Sequence, residues 1–256
     1  MHVEIYRFNP AKDKKPYMQS VDIDTDKHDN LIMALDVLKL LKQWHPDLAF
    51  RHSCAGGVCG SDAVNLNGRN CLACIAPIKE VAPKGKLTIR PVPSMPVIRD
   101  LVVDMKPFYE QYSKVRPYVI NDEIPENNKE YKQSPADRSK LDNLYDCVLC
   151  GCCTTACPSY WWNPEKFLGP AALLQSYRFL IDSRDTKQQE RLDQLSDSFS
   201  AYRCRNIMNC TSSCPKGLSP NKAISHIRHL LLSKNIDPEE ISPEQEKMLK
   251  YEQNVA

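Results

Sequence analysis

This sequence has no surplus of charge, no long apolar run and no export signal. Its formal net charge is only +2, which removes the bulk electrostatic case for nucleic acid or a strongly acidic partner. Its apolar stretches fall short of the ~20 residues that span a bilayer; "LIMALDVLKLL" and "HLLLSK" are broken by charge or end early. The start, "MHVEIYRFNP", has no basic region leading into an apolar core and is not rich in Arg and Ser. The expectation is a chain that is neither secreted nor membrane-spanning, yet free to dock on a membrane. Its 256 residues suffice for one large domain or two small ones.

Cysteine, by contrast, is plentiful. The chain carries 12, in groups at 54–74, 147–157 and 204–214. Without an export signal a disulfide framework is disfavoured. Pairs separated by two residues ligate one metal centre readily, so metal is the better reading.

Around these groups the chain divides in two. Val3 and Ile5, Val21 and Ile23, and Leu87 and Ile89 alternate with polar neighbours, the period of half-buried strands. Residues 31–44 carry a helical stripe of Leu31, Leu35, Leu38 and Leu41, with Asp29 or Asn30 as cap and Pro46 as stop. The predicted N-terminal part is therefore two strands, a helix, a Cys-rich loop and a further strand. Prolines at 91, 93 and 96 argue for extended chain and place a boundary near residue 106. Beyond it the chain reads as helical. Pro170 opens one helix, with Leu173, Leu174, Tyr177, Leu180 and Ile181 on one side. Ser219 caps another, with Pro220 first and Ala223, Ile224, Ile227, Leu230 and Leu231 facing inward. The expected fold class is α+β, with domains at 1–106 and 107–236. A charged surface extension follows at 237–256, from about Pro238.

The middle cysteines make the strongest signal. Cys147, Cys150, Cys153 and Cys157 with Pro158 fit C-x2-C-x2-C-x3-C-P, in which three thiolates bind one iron–sulfur cluster and the fourth binds a second. Cys210 and Cys214 with Pro215 repeat the end of that motif, and Cys204 lies six before Cys210. A full motif would place a thiol midway, where this chain has Ile207. One cluster then has Cys147, Cys150, Cys153 and Cys214, a [4Fe–4S] ligand set. The other has only Cys157, Cys204 and Cys210, which by ligand count favours [3Fe–4S] over a cube with a labile, water-held fourth iron. Cys152 is out of register and reads as a packed, non-ligating thiol.

The first group leaves alternatives open. Cys54-x4-Cys59 begins a plant-type [2Fe–2S] loop, but its third position is Asp62, and Cys71 precedes Cys74 by three. Asp62 could join Cys54, Cys59 and Cys74; Cys71 could take its place; or all four thiolates could hold zinc. Gly56, Gly57 and Gly60 favour the ferredoxin loop, where backbone folds closely over the cluster.

Over nearly its whole length the sequence resembles the iron–sulfur subunit of succinate dehydrogenase. The resemblance rests on "SCAGGVCGSDAVNLNGRNCLAC", "PVIRDLVVDM", "CVLCGCCTTACPSYWWNPEKFLGPAALLQSYRFLIDSRD" and "YRCRNIMNCTSSCPKGLSPNKAI". It implies an N-terminal plant-type (β-grasp) ferredoxin domain and a C-terminal all-α domain like bacterial ferredoxins. It implies three clusters that carry electrons singly from the FAD of a flavoprotein subunit to ubiquinone in the membrane. Membrane-anchor subunits complete the implied complex, with haem b as their optional cofactor. Some family members have Asp at the position of Asp62, which makes it the expected ligand; Cys71 departs from the family. Pro158, Trp162 and Ile207 match residues lining the quinone pocket, where an indole N–H can donate to a quinone carbonyl. At 205 the family usually has histidine and this chain has Arg205. Arginine stays charged and passes no proton, so Arg205 is expected to act electrostatically, through water or a haem propionate, with protons coming from a partner subunit. Arg51 is expected at the flavoprotein contact and His52 beside the first cluster, while His226 and His229 read as surface or interface residues.

The expected function is electron transfer within succinate:quinone oxidoreductase, with no succinate site on this chain. The expected location is the cytoplasmic face of a bacterial inner membrane, or the matrix side of the mitochondrial one. Quinol:fumarate reductase is the alternative of the same class, and a zinc-binding structural module the alternative of another, which absence of colour would reveal.

Overall fold

A computed structural model describes residues 1–28, 30–123, 125 and 129–234. The 237–256 extension and Asp29 lie outside the described residues.

Strands β1 (His2–Arg7), β2 (Tyr17–Asp22), β3 (Ala63–Leu66), β4 (Arg69–Leu72) and β5 (Lys86–Arg90) form one sheet in the order β2-β1-β5-β3-β4. β1 and β5 run parallel and the other pairs antiparallel. Alternation does what the sequence predicts: Val3, Ile5, Leu87 and Ile89 all point into one core. Helix α1 (Ala34–Trp44) contributes Leu35, Leu38 and Leu41 to that core. Each fully buried leucine stabilises it by about 1.5–3 kcal/mol.

Two local expectations need correction. The helix starts at Ala34 with Met33 as N-cap, and neither Leu31 nor Asn30 belongs to it. The cause is Asp36, whose carboxylate accepts the N–H groups of Met33 at 2.9 Å and Ile32 at 3.2 Å, satisfying donors that the first turn leaves open. The second correction is the β3–β4 hairpin, which occupies part of the expected loop. Asn67 (φ 48°) and Gly68 (φ 88°) form its turn, and such an Asn-Gly pair matches the right-handed strand twist.

A short helix α2 (Ile78–Val81) joins β4 to β5, and after β5 the chain leaves the sheet through a small ladder of β6 (Val97–Arg99) and β7 (Val102–Val103). Helices α3 (Lys106–Lys114), α4 (Pro135–Ser139), α5 (Cys152–Thr155), α6 (Pro158–Trp162), α7 (Pro170–Leu180), α8 (Gln188–Gln194), α9 (Asn209–Ser212) and α10 (Pro220–Lys234) make up the rest. Leu173 and Leu180 of α7 meet Ile224, Ile227 and Leu231 of α10 in a second core. Ser219 caps α10 through its hydroxyl, which accepts the Lys222 N–H at 3.4 Å. His226 belongs between the helices, stacked on Tyr177 at 5.3 Å.

A buried arginine anchors each half. Asp100 (φ 47°) accepts from Arg7 Nε at 3.1 Å and from the N–H groups of Phe8 and Ala49. Arg191, 1% exposed, pairs with Asp185 at 2.7 Å and donates to the carbonyls of Val115, Arg116 and Tyr118. Buried charges persist only when paired and hydrogen-bonded in this way.

Candidate metal centres

Residues 54–62 wrap backbone around sulfur. Ala55, Gly57 and Gly60 all take left-handed φ values, which turns successive N–H groups inward. Gly56, Val58 and Cys59 donate to Cys54 Sγ at 3.3–3.4 Å, and Gly57 donates to Cys74 Sγ at 3.3 Å. Cys54 and Cys59 are exposed, and Cys74 is buried. Hydrogen bonds from Ser61 and from Cys54 bring Cys59 down to about 6, while burial, then Asp62, pushes Cys74 up to about 12.

Asp62 is 3% exposed. Its Oδ2 accepts the Cys74 N–H at 2.6 Å, and its Oδ1 is buried without a partner. An orphaned carboxylate oxygen costs free energy unless something binds it. Cys71 sits differently: it lies on β4 opposite Val64, packs against the N-terminal core, and meets the Leu66 backbone. Burial pushes its thiol up to about 11.

The other cysteines gather in two sets. Cys153 feels the charges of Cys150, Cys147 and Cys214, and Cys147 those of Cys150 and Cys214. Cys210 in turn feels Cys157 and Cys204, and burial foremost raises it to about 11. Left-handed residues Leu149 and Gly151 bend the first of these loops, and Asn206 and Met208 the second. Cys152 is fully buried in the N-terminal core, next to Cys150. All twelve cysteines are free thiols.

Cys157, Cys204 and Cys210 line one small hollow, of about 10 Å³, together with Pro158, Arg205 and Ile207. Trp162 is not part of that lining. It stands one helical turn beyond Pro158 on α6, 60% exposed. Its neighbour Trp161 is tied down, with Nε1 donating to the Thr155 carbonyl at 2.6 Å. Arg51 is not free either, because its guanidinium donates to the Val103 carbonyl at 2.8 Å. His52 packs on Phe50, with ring centroids 5.4 Å apart.

Spacing alone did not reveal two side chains of these sites. Asn221 of α10 approaches Cys204 Sγ at 4.0 Å. Asn70 of β4 reaches across to the loop of Cys152, and the Asn67-Gly68 turn two residues earlier is the signal that would have placed it on a strand.

Among the described residues, no three His, Cys, Asp or Glu side chains converge as a site for one metal ion. A cluster spreads its ligands over several irons, one thiolate to each iron in a cubane and two ligands to each iron in a [2Fe–2S] centre, so they do not all converge on one point. Soft thiolates suit iron–sulfur centres, N–H groups aimed at ligand sulfurs tune them, and the open Asp62 oxygen offers a further donor. The residues present fit such clusters.

Comparison with known proteins agrees. A 2Fe-2S iron-sulfur cluster binding domain family matches residues 2–110, and a 4Fe-4S dicluster domain family matches residues 146–219. The succinate dehydrogenase iron-sulfur subunit of Coxiella burnetii is 54% identical over 91% of this chain and 97% of its own length. That of Paracoccus denitrificans is 49% identical over 90% of this chain and 87% of its own. A chain of the Mycobacterium smegmatis Sdh1 complex in the apo form shares the fold, with a TM-score of 0.77 at 23% identity, over 93% of this chain and 97% of that one. The relatives carry the dehydrogenase name, so the fumarate-reducing alternative is not favoured. Similar to them over some nine-tenths of its length, the chain belongs to the iron–sulfur subunits of succinate dehydrogenase.

Proposed function

We propose that the three groups of side chains form a single relay from a flavoprotein subunit to a quinone in the membrane. Cys54, Cys59, Asp62 and Cys74 hold a [2Fe–2S] cluster. Cys147, Cys150, Cys153 and Cys214 hold a [4Fe–4S] cluster, and Cys157, Cys204 and Cys210 a [3Fe–4S] cluster. When bound, the clusters supply one-electron redox chemistry; the chain supplies ligation, spacing and tuning. The observation that carries the reading is that Cys157 lines one hollow with Cys204 and Cys210, while its sequence neighbours Cys147, Cys150 and Cys153 are not part of that lining. In this reading the ferredoxin domain ends near 106 and the helical one runs from 107 to 236.

Pro158, Ile207, Arg205 and Trp162 face the quinone. Trp162 presents an indole N–H with no partner among the described residues, free to donate to a carbonyl. Arg205 stays charged and orients the headgroup electrostatically, while protons come from a partner subunit. FAD sits on the flavoprotein, ubiquinone between this chain and membrane-anchor subunits, and haem b, where present, on the anchors. The assembly lies on the cytoplasmic face of a bacterial inner membrane.

The test is EPR on the membrane-bound complex, taken oxidised for the [3Fe–4S] centre and reduced for the other two. Three distinct signals, with the [3Fe–4S] one altered by quinone, support the relay. An unchanged [2Fe–2S] signal in Asp62→Ala removes Asp62 from the ligand set. Unchanged affinity for quinone-site inhibitors in Arg205→His removes Arg205 from the pocket.

A further inference from the structure

Two loops assigned to different clusters touch at a glycine. Gly60 has φ +68°, and a Cβ on it would lie 2.7 Å from the Val148 carbonyl oxygen and 3.1 Å from Cys150 Cα. Both obstacles are backbone, which cannot swing aside as a flexible side chain does. Cys59, Gly60 and Asp62 on one side share a cleft with Leu149 and Cys150 on the other.

A buried polar clamp sits behind this contact. Asn70, 3% exposed, donates through Nδ2 to Thr155 Oγ1 at 2.9 Å and to the Cys152 carbonyl at 3.2 Å. Its Oδ1 accepts from Asn65 Nδ2 at 2.7 Å. Thr155 Oγ1 donates onward to the Gly151 carbonyl at 2.9 Å. Arg69 of the same strand donates to the Ser212 carbonyl at 2.8 Å. The hairpin that begins beside Asp62 is thereby fixed to the turn that begins beside Cys150.

We propose that Gly60 and Asn70 are positioning residues that set the gap between the first and middle clusters. The inference rests on the ligand assignment above. Electron tunnelling falls exponentially with the gap to be crossed, so a loop pushed outward slows transfer without altering either ligand set. Gly60 brings the loops into backbone contact, and Asn70 holds them there, because separating them would leave its buried Nδ2 donors without their acceptors.

The experiment compares Gly60→Ala, Asn70→Ala and Gly85→Ala in the whole membrane complex. Gly85 has φ +69° and open space where a Cβ would go, so its variant carries the same backbone strain and no interdomain clash. Readouts are iron content, spin–spin broadening between the reduced first and middle centres, and rapid-freeze EPR of the middle centre after succinate is added. Gly60→Ala is expected to keep both clusters, with the [2Fe–2S] signal reshaped by strain in its loop, to weaken the broadening and to slow reduction of the middle centre severalfold. Asn70→Ala is expected to do the same to a lesser degree, and Gly85→Ala to change neither. Unchanged broadening and rate in Gly60→Ala overturn the proposal. If Gly60→Ala loses a cluster, Asn70→Ala decides: clusters retained with unchanged broadening overturn it, and weakened broadening upholds it. Absence of either signal from the unaltered complex overturns the ligand assignment as well, so the two failures are distinguishable.

Discussion

The two halves of the molecule arrange their metal-binding side chains in opposite ways. In the first half one loop does nearly all of it: N–H groups of Gly56, Val58 and Cys59 close on the sulfur of Cys54, a few residues back. In the second half, residues 147–157 and 204–214 are far apart in the chain. They meet because α7 packs on α10 and because Asn209 Nδ2 donates to the Ala156 carbonyl at 3.1 Å. Local backbone conformation specifies the first site, and tertiary packing specifies the other two. Remote damage should therefore empty the second half first, and local damage only the first.

The largest test is Arg191→Ala. It leaves Asp185 buried without its cation and the Val115 and Tyr118 carbonyls without the donor that Arg191 gave them. Breaking one side of a buried pair costs about 3–5 kcal/mol. The expected outcome is loss of the [4Fe–4S] and [3Fe–4S] EPR signals while [2Fe–2S] persists. Parallel loss of all three would break the comparison.

The converse test is Gly57→Ala. Gly57 has φ +71°, and a Cβ there would meet the Ile75 side chain at 3.0 Å. A left-handed alanine costs roughly 1–2 kcal/mol, and here the strain falls within the ligand loop. The [2Fe–2S] signal should weaken or change shape and the other two should stay, as the same EPR spectra would report.

The adjacent tryptophans sharpen the contrast within one helix. Trp161 is bonded to the Thr155 carbonyl and Trp162 is exposed with its indole N–H unused. Trp161→Phe should lower stability by about 0.5–1.5 kcal/mol, the usual net value of one hydrogen bond. Trp162→Phe should leave thermal unfolding nearly unchanged and lower quinone reduction. The reverse pattern would assign the quinone contact to Trp161.

The same contrast governs what could be read before folding. The thiol groups were legible because their spacing lies within short stretches of chain. The separation of Cys152 from the motif followed from register alone. The hairpin was not read, although Asn67-Gly68 marks it, because Cys71 and Cys74 drew attention as ligands rather than as strand and turn residues. Leu31 extended the helical stripe too early, because apolar period carries no information on where Asp36 closes the first turn. The buried states of Arg7, Arg191 and Asn70 were illegible for a stronger reason. Each depends on partners distant in sequence, Asp100 for Arg7, the Val115 and Tyr118 carbonyls for Arg191 and Thr155 for Asn70, that only the folded chain supplies.

The smallest expected effect is on pH, and it too separates the halves. Asp182 in the helical half is fully buried and accepts from the backbone and guanidinium of Arg184. Burial pushes its carboxyl upward, but the Arg184 bonds outweigh burial and hold it below its ordinary value. A folded value below the unfolded one means that its contribution is complete above the unfolded value and is lost as pH falls through the folded one. In the N-terminal half the comparable Asp47, also lowered beside Arg7, is half exposed, and solvent screens such pairs. Acid should therefore destabilise the helical half before the sheet. Asp182→Asn should flatten the acid side of its stability–pH curve, while Asp47→Asn should barely move the curve of the sheet. Urea unfolding across the acid range, followed through the separate cluster absorptions, would measure both, and equal flattening by the two variants would remove the distinction.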